Sequence, residues 1–309
     1  MNLPLSRYAR IDRLFRIGEQ IWDARPDVRK AHGDAESWGF WCWMMFSGAG
    51  EYEELRSAFY PLPDSYLTER VVGTMPLQDF VRDGVVDCNR IYQCLLRAGF
   101  DFKKKAKVLD FGCGCGRLLR VMARFADNLE IHGGDVDPDA IRFCRDAFDF
   151  AEFADLPTIP PCSYGTGQFD VICAYSVFTH LPEKVHLKWI EELARITAPG
   201  ALVVLTTGGH RLVEHWLAGR PDPVPTPAEL RLRLPEFEER GFLFFPYEKL
   251  EISDPQNESF FGEWDLSQYG MTFILEDYIH RHWLDSFQLV SFEAAPDDWQ
   301  DFVVLRRRG

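Results

Sequence analysis

LDFGCGCGRLLR, residues 109–120, sets Gly112, Gly114 and Gly116 at alternate positions, separates them with Cys113 and Cys115, and runs straight into a helix-forming stretch. The preceding KVLDF is short and β-rich. A glycine-rich turn from a strand into a helix lies at the carboxyl edge of an α/β sheet, where such sheets bind their ligands. Glycine there admits positive φ and a close approach of ligand to backbone. The two cysteines raise a metal as the alternative to a nucleotide-like ligand. Yet the eight cysteines, at 42, 88, 94, 113, 115, 144, 162 and 173, contain no C-x-x-C spacing and no Cys/His cluster. Zinc needs four such donors, so reduced, buried thiols and no metal are expected.

Working outward, residues 107–208 alternate β-rich runs with helix-period runs, the pattern of crossover units on a parallel sheet. The strands read as KVLDF, LEIHGGD, FAEFAD, FDVICAY and ALVVLTT; the intervening helices as GRLLRVMARFAD, PDAIRFCRDAF and EKVHLKWIEELARI. In the last helix Val185, Trp189 and Leu193 form one apolar stripe, expected to pack on the sheet. Pro199-Gly200 breaks that helix ahead of the fifth strand. Near the C-terminus, LEDYIHRHWLDS reads as a helix, followed by the strands FQLVSFEA and DFVVLRR. Too few residues separate these two for a crossover, so the last strand must be antiparallel.

The expected fold is therefore α/β: a Rossmann-like, doubly wound, seven-stranded sheet with an antiparallel last strand. Residues 1–103 form a helical N-terminal extension, with helices at 4–25 and 77–98. Between these helices lies an aromatic-rich segment (Trp38, Trp41, Trp43, Phe46, Tyr52, Phe59, Tyr60) that reads either as a lid or as apolar padding. Residues 104–309 form the main domain, with an insertion at about 209–270 that caps it before the last helix and carries a helix near TPAELRLRLPEFEERG and a strand at FLFFPY.

A dinucleotide fingerprint, G-x-G-x-x-G, would need its third glycine at 117, which is Arg117. The second strand ends in Asp135, 25 residues after Asp110, where a carboxylate can accept hydrogen bonds from two ribose hydroxyls. Asp137, just before Pro138, is expected to cap the next helix.

These stretches resemble the class I S-adenosylmethionine-dependent methyltransferases. VLDFGCGCGR is similar to their first motif, GGDVD to their second-strand acidic motif, FDVICAYSVFTHL to the fourth-strand motif and LARITAPGALVVLTT to the fifth-strand segment, all in the family's order. The resemblance spans roughly residues 104–208 and implies S-adenosylmethionine as cofactor. It gives Asp110, Gly112, Cys113, Gly114 and Gly116 to the methionine end of the cofactor, Asp135 to the ribose and Asp155 to the adenine, with Tyr175 lining the pocket. A ligand without phosphates needs no loop lysine, and this loop has none.

Methyl transfer asks the protein to position the acceptor, exclude water and, for a hydroxyl acceptor, remove a proton. His180, in SVFTHLPE past the fourth strand, is the first candidate base; the alternative is a structural histidine at a helix start. His210, in TTGGHR after the fifth strand, is the second. Base-methylating relatives carry Asp or Asn followed by Pro-Pro and an aromatic where this chain has Ala174-Tyr175-Ser176-Val177.

Bulk properties agree. The chain has 309 residues, 34 basic against 48 acidic, and a formal charge of −14, which repels phosphate backbones and anionic lipid. No stretch approaches the roughly 20 apolar residues of a membrane span, and the N-terminus lacks the apolar centre of a secretory signal. The expectation is a cytoplasmic enzyme acting on a small-molecule or sugar-like hydroxyl, with no nucleic-acid or membrane partner. A catalytically inactive cofactor-binding partner protein is the alternative. A nicotinamide-dependent oxidoreductase fits less well, on glycine spacing and on the antiparallel final strand.

Overall fold

The structure, a computed structural model, describes residues 6, 8–25, 38–48, 52–218, 225–247, 254–255, 257, 265–296 and 299–309. The strands of the main sheet are β1 (Ala106–Phe111), β2 (Leu129–Asp135), β3 (Ala151–Asp155), β4 (Phe169–Ala174), β5 (Thr197–Thr207), β8 (Phe287–Glu293) and β9 (Asp301–Arg307). They run in the order β3-β2-β1-β4-β5-β9-β8, and β6 (Phe242–Pro246) pairs with β7 (Gly270–Ile274) in a separate two-stranded sheet. β2 with β3, β1 with β4 and β4 with β5 are parallel; β9 is antiparallel to both β5 and β8. The seven strands and the reversed last strand are as the sequence predicts.

The chain forms two compact units. One comprises Met1–Gln93, Asp101–Ala106 and Cys113–Asp155. Its helices are α1 (Ala9–Ala24), α2 (Trp38–Gly48), α3 (Glu53–Ala58), α4 (Ser65–Val72), most of α5 (Leu77–Arg97), α6 (Leu119–Met122) and α7 (Pro138–Ala147). Three of them, α2 to α4, lie where the sequence shows no period. The reason is visible in α2, WGFWCWMMFSG: Phe40, Trp41, Trp43, Met44 and Met45 are all buried, and a helix covered on most sides has no polar face to set a period. Trp41 donates from its indole to the Val121 carbonyl at 2.8 Å, and Trp22 meets Phe40 edge to face at 4.5 Å. Trp41, Trp43, Phe59 and Tyr60 of the aromatic segment are thus buried within this unit, whereas Phe46 is exposed.

The other unit comprises Cys94–Phe100, Lys107–Gly112 and Leu156–Gly309. Helix α8 (Glu183–Ile196) buries Val185, Trp189 and Leu193 as the stripe predicts, with Trp189 edge-on to Phe111 at 4.8 Å. Past β5 come α9 (His210–Leu217) and α10 (Pro227–Arg240), the latter started by a Thr226/Glu229 capping box with Pro227 in its first turn and stopped by Gly241 in the left-handed region. The β6–β7 hairpin turns Leu243, Phe245, Met271 and Phe273 toward Leu212, Val213, Trp216, Leu230 and Phe237 in a second apolar core. Strand β7 is absent from the sequence reading because all five of its residues are buried, which leaves no alternation. Helix α11 (Glu276–His282) precedes the closing strands.

Candidate functional site

In the first unit, the glycine turn and the end of β2 hold each other. Cys113 N–H donates to the Gly134 carbonyl at 3.1 Å, and Gly114 N–H donates to Asp135 Oδ2 at 2.7 Å. The second carboxylate oxygen accepts from Asp137 N–H at 2.9 Å. Gly114 and Gly116 have φ of +50° and +79°. A Cβ on Gly114 would lie 2.7 Å from Val71 Cγ2, and one on Gly116 would lie 2.3 Å from Phe148 Cε2. Both the backbone conformation and the packing therefore demand glycine.

Asp135 is half-buried, and desolvation pushes its pKa from 3.8 up to about 6 against the opposing donation from Asp137 and Gly114. An ionised carboxylate offers about four acceptor positions, so two backbone N–H groups leave room for hydroxyl donors. Asp137 caps α7 by accepting from Asp139 and Ala140 N–H, as expected from its position before Pro138. Asp155 stands beside Asp135 in the β2–β3 register; its side chain is 55% exposed and pairs with Arg145 at 2.8 Å.

The sequence reading missed what secures this turn. Arg70 of α4, 5% exposed, bridges Asp137 at 2.9 Å and Asp139 at 3.1 Å. Cys115 Sγ faces the Leu67 carbonyl at 3.7 Å, and Arg117 pairs with Asp87 of α5. Cys113 Sγ faces the Gly114 carbonyl at 3.6 Å, and burial pushes the Cys115 thiol up to about 12. Among the described residues none of the eight cysteines is in a disulfide, and no group of three or more His, Cys, Asp or Glu is placed to hold a metal.

In the second unit, Asp110 is 1% exposed near the end of β1, in register with Cys173 of β4. Gly112 has φ +78°, and Val177 Cγ2 lies 2.3 Å from where its Cβ would be. Tyr175 is half-buried, its ring 6.1 Å from that of Phe302. Ser176 takes φ +59°, an unusual conformation for a residue with a side chain. Polar contacts hold it: its N–H donates to Thr206 Oγ1 at 2.7 Å, and its Oγ accepts from Gln300 Nε2 at 3.0 Å.

Four residues on, His180 is gripped by β7. Gly270 N–H donates to the His180 carbonyl at 3.1 Å, and Thr272 N–H donates to the Thr179 carbonyl at 2.8 Å. Thr272 Oγ1 donates to the Leu181 carbonyl at 2.8 Å. His180 Nδ1 lies 2.9 Å from the Gly270 carbonyl. A carbonyl only accepts, so Nδ1 carries the proton and Nε2 of the neutral ring keeps its lone pair. Burial holds the His180 pKa below the ordinary imidazole value, opposed by the Gly270 carbonyl. His210, the first residue of α9, is 61% exposed with Nδ1 3.8 Å from Glu238 Oε1. His186 is a buried acceptor for the Trp283 indole at 2.9 Å, with its pKa down at about 3.

Residues 109–203 match the family model described as a methyltransferase domain. Residues 109–203 are thus a methyltransferase domain, and the strand order with its reversed last strand is that of the class I S-adenosylmethionine-dependent methyltransferase fold. Ajmaline N-methyltransferase of Rauvolfia serpentina is 27% identical over 35% of this chain and 38% of its own length. The chloroplastic tocopherol O-methyltransferase of Arabidopsis thaliana is 30% identical over 35% of this chain and 32% of its own. A tRNA N(3)-methylcytidine methyltransferase of Schizosaccharomyces pombe is 26% identical over 38% and 49%. The matches thus span about a third to a half of the length of these relatives. The PH0226 protein of Pyrococcus horikoshii OT3 shares the fold, with a TM-score of 0.50 at 17% identity over 78% of this chain and 98% of that one. No described helix is long and apolar enough to cross a membrane.

Proposed function

We propose that this protein methylates a hydroxyl group of a small, sugar-like or other organic molecule, using S-adenosylmethionine as donor and His180 as general base. The observation that carries this reading is the state of His180: half-buried, held toward the neutral form by burial, fixed in one tautomer by Gly270, with no hydrogen-bond partner on Nε2 among the described residues. A base is useful when it is unprotonated at working pH and held in one orientation, and both conditions hold here. His210, exposed and beside Glu238, is the second candidate.

The residues assigned to the cofactor fit it. Asp135 has acceptor capacity for ribose hydroxyls, Asp155 stands beside it for the adenine, and Asp110 with Gly112, Cys113, Gly114 and Gly116 forms the turn assigned to the amino-acid end. Tyr175 is assigned to the same cofactor pocket. When bound, S-adenosylmethionine supplies a methyl carbon activated by its sulfonium. This chain's residues hold it, orient the acceptor and take the acceptor's proton. The named relatives include both O- and N-methyltransferases; the hydroxyl reading rests on His180, and the preference for a small acceptor over nucleic acid rests on the charge of −14.

The test is His180→Ala. Turnover of labelled cofactor with a hydroxyl acceptor should fall by about 10²–10⁴ while S-adenosylhomocysteine affinity stays unchanged. Full turnover in a folded variant would sink the assignment.

A further inference from the structure

The rings around His180 narrow the acceptor further, an inference that rests on the function proposed above. Tyr247, just past β6, and Tyr269, just before β7, flank the histidine. The Tyr269 ring lies 5.1 Å from the imidazole at an angle of 33°, Tyr247 lies 6.4 Å from it, and the two tyrosines meet edge to face at 5.4 Å. Tyr247 N–H donates to the Tyr269 carbonyl at 3.0 Å, which extends the β6–β7 pairing by one step and holds the two residues opposite each other. All three side chains are partly solvent-accessible, unlike the buried Leu243, Phe245, Met271 and Phe273 of the same hairpin.

We propose that this three-ring cluster is the seat of an aryl hydroxyl acceptor, its ring laid against Tyr269 and Tyr247 and its oxygen directed to His180 Nε2. Aromatic rings attract one another in offset or edge-on arrangements at centroid separations of 4.5–7 Å, a spacing already adopted among the three residents.

Proton chemistry points the same way. A phenolic oxygen, with an ordinary pKa of about 10 as in tyrosine, gives up its proton far more readily than an alkanol. A base with a depressed pKa is suited to the more acidic of the two. In the transfer, the O–H bond breaks, the proton goes to Nε2, the neutral imidazole becomes imidazolium, and the electron pair stays on oxygen.

The experiment uses 4-nitrophenol, whose ionised form absorbs in the visible, titrated into the full chain with and without S-adenosylhomocysteine. Saturable binding is expected, displaced by 2-naphthol and untouched by cyclohexanol. Tyr269→Ala should weaken it about tenfold and Tyr269→Phe should leave it within about twofold, since the ring and not the hydroxyl is used. If Tyr269→Ala fails to fold, Tyr247→Ala provides the same comparison. Absence of saturable binding, equal binding of cyclohexanol, or unchanged affinity in the folded Ala variants would overturn the inference. S-adenosylhomocysteine is titrated alone by calorimetry in parallel. Its failure to bind would count against the methyltransferase function, whereas its binding without 4-nitrophenol binding would count against the aryl seat alone.

Discussion

Replacing Asp135 with asparagine should trade cofactor affinity for a changed pH profile of stability. In the folded chain burial raises this carboxyl from 3.8 to about 6. Its ionised form is then roughly 3 kcal/mol less favourable in the folded than in the unfolded state, an upper figure because the side chain is only half-buried. The folded state binds the proton more tightly, so this group's contribution to stability falls as pH rises from about 4 to about 6 and the full penalty is present above pH 6. Asparagine cannot ionise and removes that slope. It also has only one acceptor oxygen for two backbone donors, Gly114 and Asp137, a pH-independent loss of about 1–3 kcal/mol. The diagnostic is therefore the change with pH: stability of Asp135→Asn relative to wild type should improve by about 2 kcal/mol between pH 4.5 and 7.5. Urea unfolding at both pH values measures it, and calorimetry with S-adenosylhomocysteine should record at least a tenfold weaker Kd from losing charge-assisted bonds of about 1.5–3 kcal/mol. A stability difference that does not vary with pH, together with unchanged affinity, would refute the reasoning.

Because burial depresses His180, the basic limb of the pH–rate profile should be centred below the ordinary imidazole value of 6.5. Rate then climbs with pH as the imidazolium is lost and is flat above neutrality; a limb centred above 6.5 would contradict a buried base. Gly114→Ala should cost about 1–3 kcal/mol in thermal unfolding for its φ of +50°. Adding Val71→Ala, which removes the side chain 2.7 Å from the new Cβ, should recover the steric part; strictly additive losses would deny that contact. Arg70→Met leaves the buried Asp137 without its guanidinium and should destabilise by about 3 kcal/mol, read from denaturant midpoints; a shift below about 0.5 kcal/mol would place this pair with exposed ion pairs.

Much of the sheet was legible because its strands are either apolar throughout or interrupted by glycine and proline at their ends. Gly112, Gly114, Gly116 and Asp135 were legible as spacing, since a turn and the adjacent strand end lie close together in the chain. Arg70 and Asp137 are 67 residues apart, and His180 and Gly270 are 90 apart. Such partners leave no local period and no motif, so the tautomer of the histidine and the brace on the turn emerge only from tertiary contacts. The same limit explains β7 and α2: all five residues of β7 are buried, and α2 is apolar on every side, down to the exposed Phe46, so neither sequence alternates.

The brace from α4 has a consequence for how the chain can be divided. Val71 fills the space over Gly114, Leu67 faces Cys115, and Arg70 clamps the residue that caps α7. A fragment trimmed to start at residue 104 would keep all four sequence motifs, yet it would expose the Gly114 backbone where Val71 lay and leave the Asp137 carboxylate without its cation. Such a trimmed protein should lose its grip on ligand before it loses its sheet. A ligand that stiffens the turn should, in return, shield the amides of residues 65–72 from hydrogen exchange.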